Sequence, residues 1–237
     1  GLDIPCRGDD EWKRWVDLTD DEKRTLASAL VRHAVSRGVP AFKIDRLVGT
    51  SYLLTEETVG TELRDASEFS TLLNATARYE RADVGLAVCL GDRDSAFDRA
   101  RELLRNHRRN LSEGIEWVEE NGVIQAEHLQ WFDAGEEIKE TIVGIIAGMS
   151  MGADGVSRDR PIVAFAEKSD EETKVSSRAT GPLVSSGLDL SAVMGEAARA
   201  VGGDGGGHDI AAGATIPVGE EAAFIEHADR IAGEQLS

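Results

Sequence analysis

The sequence predicts an α/β (α+β) chain: a helical N-terminal connector followed by a mixed β-sheet domain packed with helices. Three observations carry this. A length of 237 residues suffices for two modest domains or one large one, with a core that needs no disulfide or metal staples. Up to about residue 120 the apolar residues recur at helical spacing. Beyond that point the pattern shortens into segments that read strand, helix, strand, strand, helix, strand, helix, which makes an α/β layer.

The elements follow in order. Residues 1–64 read as mainly helical. Thr19-Asp20-Asp21-Glu22 is a capping box, in which the Thr19 hydroxyl and the Glu22 carboxylate satisfy orphan amides. The helix behind it carries Leu26, Leu30, Val31 and Val35 and stops at Gly38. Pro40 suits the first turn of a short second helix ending at Gly49, and Tyr52-Leu53-Leu54 suggests a short strand. Asp65 to Tyr79 reads as a helix, and Val84 to Cys89 as either a strand or a buried helical turn. A long helix runs from about Ser95 to Glu120, with Phe97, Ala100, Leu104, His107, Leu111, Ile115 and Val118 on one apolar stripe. Strands are expected at Val123 to Phe132, Pro161 to Ala166, Thr173 to Thr180 and Ala211 to Ile216. Helices are expected at Glu136 to Met149, Asp189 to Val201 and Glu220 to Ala232. This divides the chain into a mostly helical connector, 1–120, and a mixed α/β domain, 121–237, with the boundary inside the long helix.

Composition excludes several classes. At 41% hydrophobic, 30% charged and 5% aromatic the chain is neither collagen-like nor low-complexity. Cys6 and Cys89 cannot build a disulfide framework or a thiolate zinc site. The longest apolar stretch, Ile142 to Ala153, is too short to span a bilayer, and Asp3, Arg7, Asp9 and Asp10 interrupt any signal-peptide pattern. A cytoplasmic protein without membrane contact is expected. The formal net charge is −18, and 6 of the 26 basic residues are lysines. Such an acidic, lysine-poor surface is the pattern expected of a salt-loving cytoplasm. Net charge of this sign argues against nucleic-acid partners in dilute salt, but counterion release contributes little in molar salt, so local sites decide.

The sharpest local feature is Gly202-Gly203-Asp204-Gly205-Gly206-Gly207-His208-Asp209, between a helix and a strand. Repeated glycines permit positive φ, so successive amides could converge on an anion, with His208 adding a donor. It is neither a Walker loop nor a dinucleotide fingerprint. The second feature is Lys174-Val175-Ser176-Ser177-Arg178-Ala179-Thr180. Alternation on a strand places Lys174, Ser176 and Arg178 on one face, and a guanidinium flanked by hydroxyls suits a phosphate oxygen or a carboxylate.

Val175 to Thr180, followed by Gly206-Gly207-His208 and Ala211-Ala212-Gly213-Ala214, resembles the DHH-associated domain of DHH-family phosphoesterases. Leu63-Arg64-Asp65-Ala66-Ser67-Glu68-Phe69 with Leu72-Leu73-Asn74-Ala75 is similar to archaeal RecJ-like single-stranded-DNA-specific exonucleases. The resemblance implies a cleft between two domains. In it an N-terminal DHH domain holds manganese or magnesium and activates water, while the associated domain grips nucleic-acid phosphates. Carried over, Gly205, Gly206, Gly207, His208 and Arg178 would bind a substrate phosphate. No Asp-His-His triplet occurs in the chain, so the resemblance implies the C-terminal half of such an exonuclease, or a subunit whose catalytic half was lost. This chain alone is expected to bind no metal and hydrolyse nothing. Its implied partner is single-stranded DNA or RNA, with a replication protein as a further candidate. The alternatives are a non-catalytic replication scaffold of the same family, or a phosphoesterase for short oligonucleotides or cyclic dinucleotides.

His33, His107, His128 and His227 lack ligand spacing, which predicts no self-contained metal site, and His107 reads as a satisfied core residue. Arg99, Arg101, Arg105, Arg108 and Arg109 make a local basic patch, of which Arg101, Arg105 and Arg108 share a helical face that could guide a strand. Pairing with nearby carboxylates explains the same residues equally well. Trp12, Trp15, Trp117 and Trp131 are expected to pack in cores or interfaces.

Overall fold

The computed structural model describes residues 4–5, 7–8 and 11–237; Cys6 lies outside the described residues. After a two-stranded ribbon, β1 (Arg7–Gly8) with β2 (Glu11–Trp12), come α1 (Asp20–Ser36), α2 (Ala41–Ile44), α3 (Ala66–Arg78), α4 (Ala82–Cys89) and α5 (Ser95–Asn121). The second half runs β3 (Ile124–Gln125), β4 (Gln130–Asp133), α6 (Glu140–Ser150), β5 (Ile162–Glu167), β6 (Glu172–Arg178), α7 (Gly181–Ser185), α8 (Leu190–Ala200), β7 (Asp204–Gly207), β8 (Ala211–Pro217) and α9 (Glu221–Leu236). The predicted fold class is observed, as helices around a mixed sheet.

The sheet has six strands in the order β3-β4-β5-β6-β8-β7. β4 and β5 are parallel and joined through α6; all other pairs are antiparallel. Alternation divides its two faces. Val163, Phe165, Val175, Ala212, Ala214 and Ile216 pack under α8 and α9, and Ile162, Ala164 and Ala166 pack with α6. Phe165 is fully buried, edge-on to both Trp131 and Phe224 at 5.9 Å between centroids. α6 packs mainly on β5 and β6, so on that face β8 and β7 are less covered, and Gly206 and Gly213 there are half-exposed.

A third cluster unites α3, α4 and the first half of α5 through Leu63, Leu72, Val84, Phe97 and Leu104. The second half of α5 joins the α6 cluster through Val118. There Gly114 lets the helices close, since a Cβ at that position would stand 2.3 Å from Ile146 Cδ1. Val84 to Cys89 is helical because it packs between α3 and α5 rather than joining the sheet.

Several expectations are corrected. Val123 to Phe132 is not one strand: a turn at residues 126–129 folds it into the β3–β4 hairpin, closed by the Ala126 amide on the Leu129 carbonyl at 3.0 Å. Tyr52-Leu53-Leu54 forms only an isolated bridge from Leu53 to Asp65. Residues 134–139 turn before α6 begins. The Thr19–Glu22 capping box is present, but the α1 stripe is uncovered: Leu30 is 50% and Val35 61% exposed, and no residue before Leu63 is buried among those described. Trp12 and Trp15 are exposed too, lying against Arg7 and Lys23 respectively, whereas Trp117 and Trp131 pack on the two sheet clusters. None of the helices described is long and apolar enough to cross a membrane.

Candidate functional site

The two sequence features meet on one face of the sheet. Register aligns three cross-strand rows: Arg178 with Ala211, Ser176 with Gly213 and Gly206, and Lys174 with Thr215 and Asp204. His208 extends the first row, exchanging backbone hydrogen bonds with Ala211 at 2.9 and 3.3 Å. Strands lie about 4.8 Å apart, so Arg178 and His208 are roughly two strand spacings from each other. Lys174, Ser176 and Arg178 share a face as alternation predicts, while Val175 and Ser177 point into the opposite layer.

The glycine segment is corrected more deeply. It is not a loop with converging amides but the edge strand β7, and within it only Gly207 has positive φ, at 147°. Gly202, at φ 81°, ends α8. Two of the three glycines answer to packing. A Cβ on Gly205 would stand 2.7 Å from the Met194 carbonyl oxygen of α8, and one on Gly207 2.7 Å from Ala212 Cα. Gly206 alone faces the less covered side, where a Cβ would meet nothing within 4 Å.

Beside these rows lies a cleft of about 520 Å3 whose walls include Asn74 and Arg78 of α3, Gly144 of α6, and Lys174, Ser176 and Arg178 of β6. Arg178 runs along α6 where Gly144 and Gly148 leave room; a Cβ at 144 would stand 2.8 Å from its Nη2. Its Nη1 donates to the Ser177 carbonyl at 2.7 Å. Burial, and after it the nearby Arg78 guanidinium, holds Arg178 below the usual arginine range. Arg78 itself donates to the Thr141 carbonyl of α6 at 2.6 Å. Among the described residues none of Arg78, Lys174 and Arg178 has a carboxylate partner within 4.0 Å, although Glu140 also lines the cleft. In a chain of net charge −18, three cations on one cleft without a carboxylate partner among the described residues have the chemistry to suit an anion rich in oxygens.

Arg78 escaped the sequence reading because it sits about a hundred residues from Arg178, on a helix with no motif around it. The helical arginine patch resolves unevenly. Arg101 pairs with Glu62, Arg99 with Glu102 and Arg109 with Glu113, leaving Arg105 and Arg108 without a carboxylate among the described residues. His107 is buried as expected, edge-on to Tyr79 at 5.9 Å, but its Nδ1 has no hydrogen-bond partner. Burial, then Arg78 and Arg108, pushes it below the ordinary histidine value.

Two family models match the chain: the DHHA1 domain over residues 123–234 and the DHH-CID domain over residues 1–48. The chain therefore carries a DHHA1 domain and a DHH-CID domain. RecJ of Thermus thermophilus, in complex with Mn2+, is similar in fold, with a TM-score of 0.58 at 17% identity, over 90% of this chain and 30% of that one. An exonuclease RecJ bound to manganese gives 0.53 at 19% identity, over 90% and 50%. An uncharacterized protein of Methanocaldococcus jannaschii is 30% identical over 229 residues, covering 97% of this chain and 46% of its own length. This chain therefore spans about half the length of that curated relative.

Manganese in the RecJ structures raises the question of whether this chain can hold a metal at its cleft. Among the described residues only Glu127, His128 and Asp229 bring three ligand atoms together, within 4.8 Å. They lie at the β3–β4 turn and on α9, which covers the sheet face opposite Arg178. The residues at the cleft do not fit a catalytic metal.

Proposed function

We propose that this chain is the nucleic-acid-gripping C-terminal half of a RecJ-like single-stranded-DNA exonuclease. In the longer protein, phosphodiester hydrolysis with manganese or magnesium would belong to the portion outside these 237 residues. The observation that carries the reading is the trio Arg78, Lys174 and Arg178, without a carboxylate partner among the described residues, in one cleft beside the less covered β8–β7 floor. Two guanidiniums held side by side, at a cost in mutual repulsion, gain most from a phosphate group that accepts from both. Ser176 adds a hydroxyl, and Gly206 keeps the floor low enough for a sugar–phosphate backbone to approach. His208, on the Arg178 row, would donate to the next phosphate. Gly205 and Gly207 support this role by letting β7 seat on α8 and turn into β8. Arg105 and Arg108 remain for guiding the strand, Arg101 being engaged by Glu62.

The test is fluorescence anisotropy of a short labelled single strand in molar KCl, a medium that suppresses nonspecific attraction. Arg178→Ala and Arg78→Ala are each expected to weaken binding about tenfold or more, from the strength of charge-assisted hydrogen bonds. Equal affinity of wild type and the double variant would remove the phosphate grip from this cleft. A non-catalytic replication scaffold of the same family is the second reading, favoured by the exposed apolar residues Leu30, Val35 and Phe42 within the DHH-CID match. It predicts a longer protein without manganese-dependent nuclease activity.

A further inference from the structure

A second cluster of ligating side chains lies away from the cleft, and the sequence spacing hid it. Glu127 and His128 occupy the β3–β4 turn, and Asp229 comes from α9, about a hundred residues later. We propose that Glu127, His128 and Asp229 bind one divalent transition-metal ion of the zinc class, joining the β3–β4 hairpin to α9.

The two half-buried donors are held by different devices. Asp229 Oδ1 accepts from the backbone amides of His128 at 2.8 Å and Leu129 at 3.0 Å. That fixes the carboxylate plane and leaves Oδ2 available. The imidazole of His128 lies against α9 one turn beyond Asp229, at Gly233. A Cβ there would stand 2.4 Å from Cδ2 and 2.5 Å from Nε2, so no larger residue lets the ring occupy this position. The ring makes no hydrogen bond among the described residues; Glu127 Oε1 is its nearest carboxylate, 3.8 Å from Nε2. Glu127 is exposed and free to rotate inward, whereas His128 and Asp229 are half-buried.

The donor set decides the ligand class. One imidazole with two carboxylates suits zinc and its first-row neighbours better than magnesium or calcium, which take oxygen alone. Metal–donor distances near 2.0–2.2 Å require the three atoms to close from their 4.8 Å spread, through rotation of the exposed Glu127 and a small turn of the His128 imidazole toward Asp229. Two carboxylates balance a dication. The neighbouring cation, Arg230, is engaged by Glu234 at 2.6 Å and does not neutralise the site, while Glu226 in the same depression adds negative potential. Water would complete the coordination shell.

Isothermal titration of the whole chain with zinc chloride, repeated with manganese chloride, tests this. One zinc per chain is expected, with weaker manganese uptake. His128→Ala and Asp229→Asn are each expected to lower zinc affinity about tenfold or more, since even residues supporting a ligand cost that much. Asp229→Asn keeps an Oδ1 acceptor for both amides, so the hairpin remains capped, and circular dichroism checks that each variant is folded. Zinc should also raise the melting temperature of the wild type and leave His128→Ala unmoved. Absence of saturable zinc uptake, or uptake undiminished in His128→Ala (as the exposed Cys89 thiol would give), overturns the proposal.

Discussion

The described residues before Leu63 and the sheet domain obey the same local rules and end in opposite states. α1 has a complete capping box, with the Thr19 amide on Glu22 Oε2 at 2.7 Å and the Glu22 amide on Thr19 Oγ1 at 3.3 Å. Its apolar residues Leu30, Val31 and Val35 nonetheless stay exposed, and none of its residues is buried. In the sheet domain, helices capped no better bury whole faces: α8 has Leu190, Val193, Met194, Ala197 and Ala198 all inside. Capping satisfies a helix's ends, and only a facing surface gives its apolar stripe somewhere to go. The difference between the two regions is thus tertiary.

Substitutions can break this comparison or sharpen it. The largest effect is expected at Phe165, wedged between Trp131 and Phe224. Phe165→Ala should cost about 3–5 kcal/mol in denaturant unfolding, against less than about 0.5 kcal/mol for Leu30→Ala in α1. Comparable costs would show that α1 is covered in solution. Next comes the glycine strand. Gly205→Ala drives a methyl into the Met194 carbonyl and Ala214 and should destabilise by about 1–3 kcal/mol. Gly206→Ala should leave stability within about 0.5 kcal/mol while weakening strand binding. A binding defect in Gly205→Ala with unchanged stability would reverse these roles.

A smaller effect is expected at Thr19. Thr19→Ala should cost α1 about 1 kcal/mol, read as faster amide exchange confined to residues 20–36, with the main unfolding transition unmoved. A shifted main transition would couple the two regions. The last is a dependence on pH. Burial holds His107 below its unfolded value of about 6.5. The unfolded chain therefore takes up the proton first as pH falls, and the stability present above that value is lost on acidification toward the folded pKa. Glu136 acts oppositely, raising Glu167 so that acid relieves their repulsion. Comparing His107→Leu with the wild type at pH values about one unit either side of that unfolded value isolates the histidine, and equal slopes would exclude it.

How much of this was legible in the sequence follows from where the information lies. Thr19, Asp65 and Asp189 mark helix starts because a cap acts within three residues. The shared face of Lys174, Ser176 and Arg178 follows from alternation. β7 was hidden because glycines carry no side chains to alternate, and its register comes from β8. Arg78 joins the cleft through a carbonyl of α6, and the Glu127–His128–Asp229 cluster forms only when α9 folds back on the hairpin. Both depend on contacts across the chain that no local pattern encodes.

α5 is shared property. At 27 residues it is a rod of about 40 Å, with Phe97 and Leu104 keyed to one cluster and Gly114 and Val118 to another. One residue added between them would turn one set of keys by about 100° against the other. This stretch can therefore drift in letters while its length stays fixed: the helix works as a ruler, and the position of Arg78 relative to Arg178 is what it measures.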